Sequence, residues 1–171
     1  MPIYNGNIIF DTYKLKHTTT NNCGGYITNL SVSGGTAPYS VLWSGLEVKA
    51  TATVTITDYT ELNSTDKVNL IATDGTNYNF VQGSQSSVNG TFEATTSNNV
   101  TATNLMNVIN TSSGPSGTRF SASVLGAVVT ITQNTKGASG NTTVTITDTG
   151  TAGMVLTNSF TGGVSNAYSA N

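Results

Sequence analysis

The chain reads as a mainly β protein of the α+β class. An antiparallel β-sheet or sandwich is expected, carrying one short helix near 101–111 and preceded by a small β-rich N-terminal region. Three observations predict this. Thr, Ser, Asn and Gly make up about half of the 171 residues, which favours strands and tight turns over helices. Apolar residues alternate with Thr or Ser at a period of two, most regularly in Thr-Val-Thr-Ile-Thr-Asp at 53–58 and again at 143–148. A helical period occurs once, where Ala102, Leu105, Met106 and Ile109 fall at i, i+3, i+4 and i+7.

Residues 1–50 form the expected first region. Asn7–Phe10 is a short apolar strand, and Asp11–Lys16 alternates well enough to continue it. Thr18–Asn22 is a polar loop. Tyr26–Ser33 alternates again, Gly34-Gly35 breaks it, and Tyr39–Trp43 restarts a strand that ends at Ser44-Gly45. About fifty residues with a few short strands bury too little surface to be stable alone. Yet the segment carries Ile8, Ile9, Phe10, Tyr26, Leu30, Tyr39, Leu42 and Trp43. The expectation is therefore an attachment arm or oligomer contact, with Ile8, Ile9, Phe10, Tyr39 and Trp43 as candidate contact residues and edge-strand addition as the route.

Lys49–Ala52 reads as the hinge into a second region, residues 51–171. Thr53–Asp58 is a strand with Val54 and Ile56 on one face, and Tyr59–Thr65 connects it onward. Lys67–Thr73 and Thr76–Val81 flank Asp74-Gly75, a signal for a tight hairpin of the type I′ kind. Gln82–Asn99 is a long polar loop with an isolated Phe92. The helix follows, with Thr101 as its cap and Gly114-Pro115 as its stop. Its Thr, Asn and Val are mediocre helix formers, so it must lie on the neighbouring strands with Leu105, Met106 and Ile109 buried. Asn104, Asn107 and Asn110 mark a polar face or bond to strand ends. Arg119–Val124 and Ala127–Gln133 form a second hairpin around Leu125-Gly126. Thr135–Asn141 is a Gly-rich turn, Thr142–Asp148 the last clear strand, and the remainder a C-terminal tail. The order is β-β-β-α-β-β-β. The recurring Thr-Val-Thr-Ile-Thr-Asp records either a duplication or one repeated solution for a strand with a wet face.

Charged residues are 8% of the chain and its net charge is −2, which argues against nucleic acid, a ligand that calls for a basic stripe. No apolar run approaches the roughly 20 residues of a membrane span. Met1–Phe10 lacks the basic start and long apolar centre of a secretion signal, so synthesis in a cytoplasm without an export signal of its own is expected. The single Cys23 rules out an internal disulfide and is either a structural thiol or a reactive one. His17, the one histidine, has no acidic or thiol neighbour closer than Asp11 and Cys23. Asp58, Glu61, Asp66 and Asp74 do not have calcium-loop spacing, and turn or cap roles account for each. Gly34-Gly35 is followed by neither a helix pattern nor Lys, so it is no phosphate loop. No catalytic set, cofactor or metal is expected.

Ser-Val-Ser-Gly-Gly-Thr-Ala-Pro-Tyr-Ser-Val-Leu-Trp-Ser-Gly, residues 31–45, resembles the strand–turn–strand core of PKD-like, immunoglobulin-type repeats in bacterial surface adhesins. A full sandwich of that kind needs roughly 80–100 residues, so here it would be partial. Trp43 is then a core residue or, with Tyr39, a glycan contact. Residues 53–163 resemble a domain found in structural proteins of tailed bacteriophages, marine ones especially. The likeness sits in KVNLIATDGTNYNF (67–80), TATNLMNVINTSSG (101–114) and FSASVLGAVVTITQNTKGASGNTTVTIT (120–147). It implies a virion structural protein, foremost a capsid decoration (cement) protein on the outer surface of a phage head. The major capsid protein or another virion protein is the implied partner, and a trimer the implied state. The alternatives are a receptor-binding or adhesive module of a tail or head fibre, and a tail or connector component.

Overall fold

A computed structural model of the protein describes residues 47–88, 90–112 and 119–165. The alternating Thr and apolar residues of the second region become the strands of two four-stranded sheets. In chain order the elements are β1 (Lys49–Ile56), β2 (Lys67–Ile71), β3 (Asn77–Gln82), β4 (Thr91–Phe92), α1 (Asn98–Ser112), β5 (Phe120–Leu125), β6 (Val128–Lys136), a 3-10 turn (Ala138–Gly140), β7 (Val144–Thr147) and β8 (Met154–Thr161). Sheet one runs β5-β6-β1-β8 and sheet two β4-β3-β2-β7. Every pairing is antiparallel except the short parallel contact of β4 with β3. The fold is mainly β with one helix, a sandwich-like arrangement of the α+β class.

Period two decides which face of each strand is wet. In β1, Ala50, Ala52, Val54 and Ile56 point inward and Lys49, Thr51, Thr53 and Thr55 outward. Val129, Ile131 and Gln133 of β6 join them inside, and Val68, Leu70, Phe80 and Val144 face them from sheet two. Both Thr-Val-Thr-Ile-Thr-Asp segments end in strands, but in different sheets, β1 and β7, each with its Val inward.

On one side of the sandwich the edge strands β7 and β8 lie against each other. Ser159 Oγ on β8 accepts from Val144 N–H at 2.7 Å and donates to Thr142 O at 3.2 Å. On the other side α1 contacts β5, β6 and β1 of sheet one as well as β3 and β4 of sheet two. Ala102, Leu105, Val108 and Ile109 are fully buried there, whereas Met106 is only partly buried. The core stripe thus runs through Val108, and Met106 sits on its margin. Leu105→Ala is expected to cost about 2–5 kcal/mol, read as a lowered urea midpoint with the helical ellipticity retained below the transition.

Several boundaries differ from expectation. Lys49–Ala52 is not a hinge but the first half of β1, and a boundary at residue 50 would cut that strand. Cross-strand partners, Lys49↔Lys136 and Thr51↔Thr132 among them, hold these residues in the sheet. The 82–99 loop contains β4, with Phe92 fully buried rather than isolated. The expected tail contains β8, whose Met154 and Phe160 are core residues, followed by a Val48↔Val164 bridge. The described order is therefore four strands, one helix and four strands.

The first hairpin also turns differently. Ala72 N–H donates to Thr76 O and Gly75 N–H to Ala72 O, both at 2.9 Å, and Gly75 has φ 83° while Asp74 keeps a negative φ. This is a three-residue loop closed by a Gly in the left-handed region, not a two-residue type I′ turn. At the second hairpin Leu125 pairs with Val128 around Gly126-Ala127, with φ 60° at Gly126 alone, the signs of a type II′ turn.

Candidate functional site

The helix start lines a shallow depression at the surface. The helix begins three residues earlier than Thr101. Ser97 is its cap, accepting from Val100 N–H through Oγ at 3.2 Å. Thr101 is fully buried instead, and its hydroxyl accepts from Thr95 N–H at 3.1 Å and donates to Thr95 O at 3.3 Å. Thr96 between them takes φ 64°, a left-handed conformation that a β-branched residue adopts only under constraint. The chain then folds back beside the end of β1. Thr57, Asp58, Tyr59, Thr96, Ser97, Asn98 and Asn99 together line a shallow, open depression.

Asn98 fixes this depression from below. Its Oδ1 accepts from Tyr59 N–H at 2.9 Å and its Nδ2 donates to Thr57 O at 2.7 Å. Asp58 stands on the rim with Oδ1 accepting from Thr60 N–H at 3.0 Å and from the Thr60 hydroxyl at 2.6 Å. Those two donors, the hydroxyl foremost, hold its carboxyl below the ordinary aspartate value. Leu125, 86% exposed at the adjoining hairpin tip, is the most exposed large apolar side chain among the described residues. The groups on offer are carboxylate, amide, hydroxyl and aromatic ring. They can bind through hydrogen bonds and stacking.

The Asn98 arrangement recurs. Asn110 of α1 accepts from Ala122 N–H at 2.7 Å and donates to Ala122 O at 3.0 Å, so an amide side chain takes the place of a fifth strand along the edge strand β5. Asn141 does the same for Gly163, at 2.8 and 3.0 Å. Such pairing satisfies strand edges that would otherwise invite another chain. Of the three helix asparagines expected to mark a polar face or to bond to strand ends, Asn110 bonds to β5 and Asn104 Nδ2 donates to Glu93 O at 2.9 Å, just beyond β4. Asn107 contributes its carbonyl to the Thr111 hydroxyl at 2.9 Å.

Asp66 is the one fully buried carboxylate among the described residues. Its Oδ2 accepts from Asn63 N–H, and its Oδ1 from Thr149 N–H and the Thr149 hydroxyl, each at 2.8 Å. Burial pushes the carboxyl up, and the three donors outweigh it, so it titrates below the ordinary value. Gln133 is the other large buried polar side chain, donating to Ile71 O and to the Thr142 hydroxyl. Only the Asn63 contact is local, three residues back; Thr149 lies 83 residues from Asp66, and the partners of Gln133 lie 9 and 62 residues away. Asp58, Asp66 and Asp74 each accept a backbone N–H within a turn or loop. Among the described residues no group of three or more His, Cys, Asp or Glu is placed to hold a metal ion, and no helix is long and apolar enough to cross a membrane.

The candidate contact residues Ile8, Ile9, Phe10, Tyr39 and Trp43 lie outside the described residues, as do His17 and Cys23. The described residues form a β-rich, sandwich-like scaffold with one helix packed against both sheets. No family model, curated protein or solved structure matches the chain.

Proposed function

We propose that the chain is a structural protein of a tailed-phage virion, most specifically a capsid decoration protein that binds the outer surface of the head. The observation that carries this reading is the fit between the phage-like sequence segments and whole structural units. KVNLIATDGTNYNF (67–80) covers β2, its turn and most of β3, and residues 101–112 of TATNLMNVINTSSG (101–114) lie in α1. FSASVLGAVVTITQ spans β5 and β6, KGASGN is the following turn, and VTIT is β7. The likeness therefore concerns a coherent unit, in order, rather than scattered strands of similar composition.

Such a protein works by burying surface across neighbouring subunits of the shell. A specific contact needs roughly 1,000 Å² or more with a well-packed centre. The major capsid protein or another virion protein is the partner, and a trimer suits the threefold positions of a capsid lattice. Nucleic acid and membrane have no part in this reading. A second reading, a receptor-binding module of a tail or head fibre, draws on the depression beside Asp58 and Tyr59, whose carboxylate and ring suit a hydroxyl-rich ligand.

Cryo-microscopy of the assembled particle tests the proposal. Copies of the sandwich on the outside of the head, in register with the capsid lattice, are expected. A particle whose head carries no copy would remove the decoration role. Glycan-array binding that is lost in Tyr59→Ala would then favour the fibre reading.

A further inference from the structure

We propose that Met106 is an oxidation-sensitive site: its conversion to the sulfoxide withdraws Asn110 from the edge of β5 and opens that edge to strand pairing. The inference concerns the folded chain itself and does not depend on a virion role.

Three groups lie in series on this flank of the sandwich. Met106 and Asn110 stand at i and i+4 of α1, one above the other on the same face. Asn110 Nδ2 donates to Met106 Sδ at 3.1 Å and to Ala122 O at 3.0 Å, while its Oδ1 accepts from Ala122 N–H at 2.7 Å. The amide thus meets the thioether with one N–H and the strand with the other. Ala122 belongs to β5, an edge strand of sheet one, and Asn110 occupies both its backbone N–H and its C=O. Of the methionines among the described residues, Met154 is 2% exposed in the core and Met106 only partly buried at its margin. That orders their access to a small oxidant.

The oxidant is a hydroperoxide. Its outer oxygen passes to the thioether: the S–O bond forms as the O–O bond breaks, and sulfur is oxidised by two electrons. The departing oxygen takes up the proton as water or an alcohol. A thioether sulfur is a weak acceptor, so the reduced side chain does not compete with Ala122 for the amide. The sulfoxide is polar and its acceptor is oxygen. The 3.1 Å approach leaves no space for that oxygen between Sδ and Nδ2. Leu105 and Ile109 of the same helix are fully buried, and an oxygen left unpaired beside them is unfavourable. The side chain therefore turns outward, and the stronger acceptor draws the Nδ2 proton with it. Asn110 cannot follow and keep its bonds to Ala122. The edge of β5 then presents a free N–H and C=O, the condition in which an edge strand accepts another strand. Reductases specific for each sulfoxide epimer make the change reversible.

The test is residue-resolved amide exchange on the full-length chain before and after mild hydrogen peroxide, with peptide mapping to locate the added oxygen. Met106 is expected to oxidise ahead of Met154. Exchange at Ala122 should then quicken about tenfold, the factor for losing one hydrogen bond of ordinary net strength. Ala52 and Val54, in the central strand β1, should keep their protection, which separates edge opening from general loosening. Treatment with both methionine sulfoxide reductases should restore Ala122. Met106→Leu, a volume-conserving change, should leave Ala122 protected and indifferent to peroxide. Met106→Gln, which supplies an oxygen acceptor without oxidant, should speed Ala122 exchange directly. A Met106 that resists peroxide in the folded chain, unchanged Ala122 exchange after its oxidation, equal acceleration in β1, or the same peroxide effect in Met106→Leu would each overturn the inference.

Discussion

Replacing Phe120 with Ala is expected to cost about 3–5 kcal/mol, the range for emptying a buried aromatic site. Phe120 belongs to β5 and Phe160 to β8, the two edges of sheet one, yet their rings stack with centroids 5.6 Å apart and planes 9° from parallel. Three inter-strand spacings of about 4.8 Å would put those edges roughly 14 Å apart in a flat sheet. The sheet must curl for the rings to meet, although Gln133 of β6, directly opposite Phe120, is itself a large buried side chain. β1 presents Ala50 and Ala52 on the inner face there, both fully buried. Tyr78 of sheet two then meets Phe120 edge-on, at 5.7 Å and 85°. One ring thus joins both edges of one sheet to the other sheet. Urea denaturation of Phe120→Ala should show the midpoint falling with little change in slope. A loss below about 1 kcal/mol would mean that the ring does not carry the core in this way.

Asp66→Asn should cost about 3 kcal/mol, since hydrogen bonds to a charged group contribute roughly 1.5–3 kcal/mol each and do not simply add. The carboxylate accepts at both oxygens, whereas an amide presents an N–H₂ on one side. Either Asn63 N–H or the Thr149 pair would then face a donor instead of an acceptor. The same residue gives stability a pH dependence. Because its carboxyl titrates lower in the folded chain than in the unfolded one, the unfolded state binds more protons between the two values. The stabilisation is complete above the unfolded value of about 4 and is lost as the pH falls through the folded one. Asp58 and Asp74, also lowered, act in the same direction from exposed positions. Denaturation midpoints measured from pH 7 downward should therefore fall in acid, and the fall should be shallower in Asp66→Asn. An unchanged slope would assign the acid sensitivity to the other carboxylates.

Much of the sandwich was legible because its strands and its helix solve local problems. Thr-Val-Thr-Ile-Thr-Asp alternates so regularly that its core face could be read directly, and Ala102, Leu105 and Ile109 fixed the inward side of α1. The missed elements lack that regularity. β4 is two residues long and exists only because β3 lies beside it. In β8, Val155 and Leu156 stand side by side, and its register with β1 slips on both sides of Thr53, which blurs any period of two. Thr101 illustrates a different limit. A Thr before an apolar helix face reads as a cap, yet here its hydroxyl hooks Thr95, because Thr96 turns the preceding chain back over it.

The candidate site was less legible than the fold for the same reason. Tyr59, Asp58 and Asn99 meet only because Asn98 ties the helix start to the end of β1, across a separation of 39 to 41 residues. By itself the sequence determined the fold class, the wet and dry faces of its regular strands, and the existence and inner side of the helix, since periodicity and turn chemistry act over a few residues. Only the tertiary structure decided that Asn110 guards the edge of β5, that Asp66 is buried with three donors, and that Lys49 and Lys136 are cross-strand partners. Each of these joins side chains to groups far away in the chain, and amides, carboxylates and hydroxyls look alike in sequence whether they meet water or one another.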